Sequence, residues 1–173
     1  VSRITTLLGH ILAYSVYEPY ENVEFGMELE YLKYYIELQN IRYNNRIICS
    51  IDCEEIAEHL QIPKLTLQPL VENSINHGLR EKGTLVISVS TDIEKDSICV
   101  IISDNGKGIE EKELKELREH LKNGESFESK SSIGILNVNE RLKRIFGERC
   151  EIQIHSRYEA GTTVVIVIPR EEE

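Results

Sequence analysis

The chain has 173 residues, 40% of them hydrophobic, enough to build a real core in one large domain or in one domain plus an appendage. Its formal net charge is -10 and it has no basic stripe, which argues against nucleic acid or an anionic membrane surface as a partner. The longest purely apolar run is a few residues and no signal peptide is visible, so nothing in the sequence reads as a membrane span.

The sequence begins at Val1, inside a helical pattern and without Met, and is therefore read as a piece of a longer protein. Residues 1–17 repeat apolar side chains at Ile4, Leu7, Leu8, Ile11 and Leu12. That narrow seam suits a helix that pairs with another helix, and Pro19 is expected to end it. A second helix is predicted over 26–43, with Leu29, Leu32 and Ile36 inward and Tyr31, Tyr34 and Tyr35 packing on neighbours. Residues 46–51 read as a strand and 54–60 as a short helix or turn closed by Pro63. The stretch LTLQPLVENSINHG, 65–78, reads as one amphipathic helix. Leu67, Leu70, Val71, Ser74 and Ile75 share one face, and Glu72, Asn73, Asn76 and His77 share the other. Thr66 is the expected cap, Pro69 is tolerable in the first turn, and Gly78 suits a left-handed stop. An ordinary surface helix carries Lys, Glu and Arg on its wet face. Here two carboxamides and an imidazole, which coordinate and hydrogen-bond well but solvate less well, join one carboxylate, so the face is expected to look into a site.

Strands follow over 84–90 and 97–103, joined by a charged turn at 92–96. A short charged helix over 110–121 buries Leu114, Leu117 and Leu121. Residues 122–132 lack periodicity and read as a mobile loop. A helix over 133–146 puts Ile135, Val138, Leu142 and Ile145 inward and stops at Gly147. Strands over 150–156 and 162–168 are joined by the Glu159-Ala160-Gly161 turn. Hairpin strands plus helices sharing one face imply an α/β fold, a two-layer α/β sandwich with a mixed sheet. Cys49, Cys53, Cys99 and Cys150 form no CxxC pair and read as buried, reduced structural thiols of a cytosolic protein rather than a zinc site.

Three further strings carry chemistry. SDNGKGI, 103–109, places an aspartate at a strand end, where it can accept a hydrogen bond from an exocyclic amine. Gly106 and Gly108 let the backbone approach a flat ring. SSIGILNVNERL, 131–142, places Gly134 where a loop becomes a helix, and free N–H groups at a helix start bind phosphate oxygens. AGTT, 160–163, is a hairpin turn leading into a strand. Alone, the Asp-x-Gly-x-Gly string is a weak signal, the loop-to-helix junction reads equally well as ordinary structure, and the AGTT string reads better as an ordinary turn.

In this order, the strings resemble the nucleotide-binding domain shared by histidine kinases, type II topoisomerases, MutL and the heat-shock chaperones of the GHKL superfamily. LQPLVENSINHGL, DNGKGI and GILNVNERL, with ELEYLKYYIELQNIRY upstream, are similar to LytS-type sensor histidine kinases. The resemblance implies an ATP-binding catalytic domain over 44–173, preceded by a helical remnant of the dimerisation region and linker over 1–43. It implies Asn73 as a Mg²⁺ ligand, His77 as phosphate-facing, and Asn76 and Glu72 as secondary candidates. It makes Asp104 the adenine reader, with Gly106 and Gly108 lining the ring, Ile109 beneath it and Thr162 sharing a water with Asp104. Gly134 and Ile135 fall at the phosphate-binding end of the lid, and Arg141 and Lys143 are expected to be structural or surface residues.

Three departures stand out. Ser132 occupies a position that usually holds glycine, Ile135 replaces a common leucine, and Pro69 stands where hydrolysing members place a glutamate base. The family's Pro-His-Phe phosphoacceptor string is missing, and His10, His59, His120 and His155 are not expected to replace it. The resemblance therefore implies a protein histidine kinase portion that binds ATP and Mg²⁺ without phosphorylating itself. Its expected setting is the cytoplasmic side of a membrane-anchored homodimer that signals to a response regulator. A stand-alone GHKL kinase or ATPase, or a degenerate module acting through protein contacts, are the alternatives.

Overall fold

The computed structural model describes residues 2–16, 21–123 and 133–170. The predicted stop at Pro19, the lid position Ser132 and most of the 122–132 loop lie outside the described residues. The fold is a mixed five-stranded sheet with helices on one face. Its strands are β2 (Ile47–Asp52), β4 (Leu85–Ile93), β5 (Ser97–Asp104), β6 (Glu151–Arg157) and β7 (Gly161–Pro169). They lie in the order β2-β4-β5-β7-β6. Only the β2–β4 pairing is parallel. The remaining strands, β1 (Asn22–Glu24) and β3 (Gln61–Pro63), form a small antiparallel ribbon that sequence periodicity did not reveal. Three residues each is too short for an alternation to register.

The helices are α1 (Arg3–Ser15), α2 (Phe25–Arg42), α3 (Glu55–Glu58), α4 (Leu67–Gly78), α5 (Glu111–Asn123) and α6 (Ile133–Phe146). Along the strands, inward side chains such as Ile87, Ile102 and Ile166 are almost fully buried, as the period of two requires. Leu67, Leu70 and Ile75 of α4 and Leu142 of α6 close the core from above. Phe25, Leu29 and Leu32 of α2 belong to the same cluster. Each such side chain contributes about 1.5–3 kcal/mol through removal from water. The opposite sheet face carries the exposed Ile48 and Val86.

The predicted inner faces hold for α2, α4 and α5, and Tyr31 and Tyr35 are buried as expected. In α6, Ile145 is 41% exposed, and Asn139 takes the buried place, donating to Leu121 O at 3.1 Å. The helix ends at Gly147 with φ +74°, a left-handed stop. Two expectations for α4 are corrected. Thr66 has helical backbone angles and donates its hydroxyl to Pro63 O at 2.5 Å, so it does not cap the helix through its side chain. Gly78 is not left-handed: it is the last helical residue, and it serves the close approach described below. In α1 only Leu7 is buried, while Ile4, Leu8 and Leu12 of the seam are exposed. Cys99 and Cys150 are buried, Cys49 and Cys53 half-buried, and all four are free thiols.

Leu142→Ala, in the middle of the core, is expected to cost about 2–5 kcal/mol in urea unfolding, and Ile145→Ala less than about 1 kcal/mol. Equal losses at the two positions would contradict this placement of the α6 faces.

Candidate functional site

A cavity of about 300 Å³ opens beside α4, the loop after β5, the start of α6 and the β6–β7 turn. Its apolar floor includes Leu70, Leu117, Ile135, Ile154 and Val164, and polar side chains surround the floor. That combination is typical of a small-molecule site. Asn73, Asn76 and His77 line one wall because residues three and four apart share a helical face. Glu72 is exposed and does not reach the cavity.

Asp104 stands at the end of β5, where the strand stops and the chain turns into the site. Its Oδ2 accepts the Ser74 hydroxyl at 2.8 Å, and its Oδ1 accepts the Gly106 N–H at 2.8 Å. Burial raises its pKa, and the bonds from Gly106, Ser74 and the Thr162 backbone oppose that rise. A carboxylate has about four lone-pair sites, so Asp104 can still accept a donor from the cavity.

Glycines set the shape of this corner. A Cβ on Gly106 would sit 2.3 Å from Gly78 Cα, so the end of α4 and the loop after β5 touch backbone to backbone. A Cβ on Gly108, whose φ is +68°, would sit 2.1 Å from Arg157 O. The loop is also tied to the β6–β7 hairpin. The Ile109 N–H donates to Ser156 Oγ at 2.9 Å, Ser156 Oγ donates to Gly161 O at 2.9 Å, and it lies 2.9 Å from Thr162 Oγ1. Arg80 bridges the same two segments, donating to Gly106 O at 3.2 Å and to Glu159 O at 3.0 Å, with its other nitrogen 2.8 Å from the Glu159 carboxylate.

Of the residues singled out from sequence, Asn73, Asn76, His77, Asp104, Gly108, Ile109, Ile135 and Thr162 line the one cavity. Gly106 and Gly134 shape its edges instead. A Cβ on Gly134 would meet Pro69 Cβ at 3.4 Å and Asn73 Nδ2 at 3.9 Å, which brings the start of α6 up to the Asn73 wall. The Thr162 hydroxyl pairs with Ser156, while its backbone bonds Asp104. Arg141 donates to Lys64 O at 2.5 Å and Lys143 pairs with Glu148 at 3.1 Å, so both have structural partners. Ser74, Lys107, Tyr158 and the latch residue Arg80 were not anticipated. Ser74 alone left a trace: a hydroxyl on an otherwise apolar helix face.

The model of the histidine kinase-, DNA gyrase B- and HSP90-like ATPase family matches residues 60–172. The chain belongs to this family. Among curated relatives it is 31% identical over 172 residues to the sensor histidine kinase YesM of Bacillus subtilis, covering 98% of this chain and 28% of that protein. It is 32% identical over 162 residues to the sensor protein kinase HptS of Staphylococcus aureus, covering 94% of this chain and 31% of that one. The chain thus spans less than a third of the length of these relatives. In fold it matches the catalytic domain of the histidine kinase ThkA at TM-score 0.59 and 19% identity, covering 86% of this chain and 95% of that one. It also matches the histidine kinase domain of a blue-light activated kinase from Erythrobacter litoralis at TM-score 0.57 and 16% identity, covering 96% and 71%. The architecture is that of histidine kinase catalytic domains in the ATPase family.

Two outcomes follow for the corner at Asp104. Gly106→Ala must separate α4 from the loop and is expected to cost about 1–3 kcal/mol in thermal or urea unfolding. Asp104 binds its proton more tightly folded than unfolded, so its contribution to stability is full below the ordinary value of 3.8 and is lost as pH rises through the folded-state value. The stability of Asp104→Asn relative to the parent should therefore increase from acid to neutral pH. A difference that stayed flat would contradict the raised pKa.

Proposed function

We propose that the cavity binds Mg²⁺·ATP and that the domain is the catalytic portion of a sensor histidine kinase. The observation that carries this reading is the facing pair of walls: Asp104 fixed at the glycine-shaped corner, and Asn73 on α4 beside Gly134. On this reading Asp104 accepts the exocyclic amine of adenine, the backbone at Gly108 lies along the ring, and Ile109 packs beneath it. The Asn73 carboxamide oxygen is a hard ligand suited to Mg²⁺. No group of three or more His, Cys, Asp or Glu among the described residues could hold a metal unaided. That fits an ion carried mainly by triphosphate and water, with one carboxamide to position it. Bound there, Mg²⁺ would neutralise charge on the phosphates. His77 and Asn76, on the same wall, face the phosphates, and Gly134 presents its helix start to them.

Phosphoryl transfer needs a positioned nucleophile more than covalent help from the protein. Pro69, one turn before Asn73, cannot serve as a base for water, and the exposed Glu72 does not reach the cavity. That supports transfer to a protein nucleophile. Apart from His77 on the cavity wall, the histidines lie away from the cavity: His10 is stacked on Tyr34 at 4.5 Å, His120 is half-buried, and His59 and His155 are exposed. The acceptor histidine is therefore assigned to a part of the protein beyond these residues. The exposed seam of α1 supports a homodimer through residues 1–43, with 44–173 as the catalytic unit. Placement on the cytoplasmic side of a membrane-anchored sensor, a response regulator as phosphoryl acceptor, and the finer LytS-type assignment complete the proposal.

Calorimetric titration with Mg·ATP tests it. The parent chain should bind, and Asp104→Ala and Asn73→Asp should each weaken binding on the order of tenfold to a hundredfold. The Asn73→Asp effect should depend on Mg²⁺ and the Asp104→Ala effect should not. Absence of binding by the parent would leave a module acting through protein contacts. Phosphorylation should require a longer protein that includes the upstream region.

A further inference from the structure

Glu28 is fully buried, although it is a carboxylate in the first turn of α2. A buried carboxylate is tolerated only where hydrogen bonds replace its lost water. Its Oε1 accepts the Leu65 N–H at 2.7 Å, and its Oε2 accepts the N–H groups of Thr66 and Leu67 at 2.8 and 3.0 Å. The Thr66 and Leu67 groups are donors that a helix start leaves without intrahelical partners. Glu28 thus caps α4 from another helix, and its charge faces the positive end of the α4 dipole.

The same Oε1 also accepts the Tyr14 hydroxyl of α1. Burial, and then the charge of Glu28, hold the Tyr14 phenol well above its usual pKa, so it remains a donor at neutral pH. Tyr14 stacks on Tyr31 at 4.4 Å, and the Tyr31 hydroxyl donates to Gln68 Oε1 in the first turn of α4 at 2.7 Å. Two links therefore run from one tyrosine of α1 to the start of α4. Arg141 of α6 lies within electrostatic reach of Glu28 and donates to Lys64 O, just before that start. Apart from Leu7, α1 buries no side chain fully, and it meets α2 through two stacked ring pairs and the exposed Arg3–Glu37 ion pair. With Leu7 its one buried apolar side chain, α1 has little core packing to fix its position.

We propose that Glu28 is a positioning residue that couples α1 to the nucleotide-facing helix: withdrawing the Tyr14 hydroxyl from its carboxylate loosens the α4 start and displaces Asn73. The proposal rests on reading the cavity as a Mg·ATP site. It gives α1 a route to the pocket that needs no contact with nucleotide.

The test is a double-mutant cycle in the full chain, read by Mg·ATP affinity and by amide exchange at Leu65, Thr66, Leu67 and Asn73. Tyr14→Phe removes one hydroxyl. Glu28→Gln turns one acceptor oxygen into a donor facing donors. Each should weaken Mg·ATP on the order of 2- to 30-fold and speed exchange at the α4 start. The double variant should bind no more weakly than Glu28→Gln alone, because Tyr14 acts through Glu28. Additive losses, parent-like affinity in both single variants, or lowered thermal stability with unchanged affinity would each overturn the coupling. If Glu28→Gln does not fold, Tyr14→Phe decides by exchange: faster exchange at Leu65 to Leu67 and at Asn73 supports the link, and unchanged protection refutes it. If the parent binds no Mg·ATP, the proposed function fails, and the same exchange comparison still decides whether α1 controls α4.

Discussion

The backbone contact between Gly78 and Gly106 is the constraint on which the site depends. A side chain at Gly106 would drive the end of α4 away from the loop after β5. Two features of the cavity depend on that contact. It sets Ser74 within hydrogen-bond distance of Asp104, and it puts the carboxamide and imidazole wall of α4 across from the strand end. The hydroxyls of Ser156 and Thr162 and the guanidinium of Arg80 hold the loop from its other side. The pocket corner is thus built from backbone proximity and short polar bonds, with little side-chain freedom left in it.

Much of this was legible in the chain. Helix α4 announced itself because its apolar and polar residues separate cleanly at helical spacing, and β4, β5, β6 and β7 because hairpin turns and alternation frame them. Eight of the residues singled out from sequence line the cavity, whereas Ser74, Lys107 and Tyr158 line it without having been anticipated. What escaped were long-range partners. Nothing local in Glu28 separates it from the solvated glutamates around it, since its meaning comes from Leu65, Thr66 and Leu67, which lie far along the chain. The misreading of Thr66 as the cap is the other half of the same fact: the capping oxygen came from α2. Arg80 escaped for the same reason, its partners being loop carbonyls. Ile145 was placed inward because periodicity gives a face its centre and not its width. The buried Asn139 shows that the face turns slightly the other way.

Charge is used sparingly inside this acidic molecule. Glu28 is buried against backbone N–H groups, and Asp104 is held by N–H and hydroxyl donors. Both carboxylates therefore act through directed hydrogen bonds, which fix position more sharply than a flexible ion pair does. The negative surface, by contrast, is spread over exposed helices such as α5, whose acidic first turn and basic last turn match its dipole.

The parallel pairing of β2 with β4 has a consequence for how the molecule assembles. The two strands are separated in sequence by α3, β3 and α4, and a parallel pair cannot form until the intervening crossover is laid across the sheet. The antiparallel strands β4 to β5 and β6 to β7 need only short turns. The hairpins close short loops, whereas pairing β2 with β4 closes a long one that includes the ligand-facing helix, so it carries the larger loop-closure cost. The sheet edge and the binding wall are thus tied by topology, because β2 reaches β4 only across a segment that contains α4.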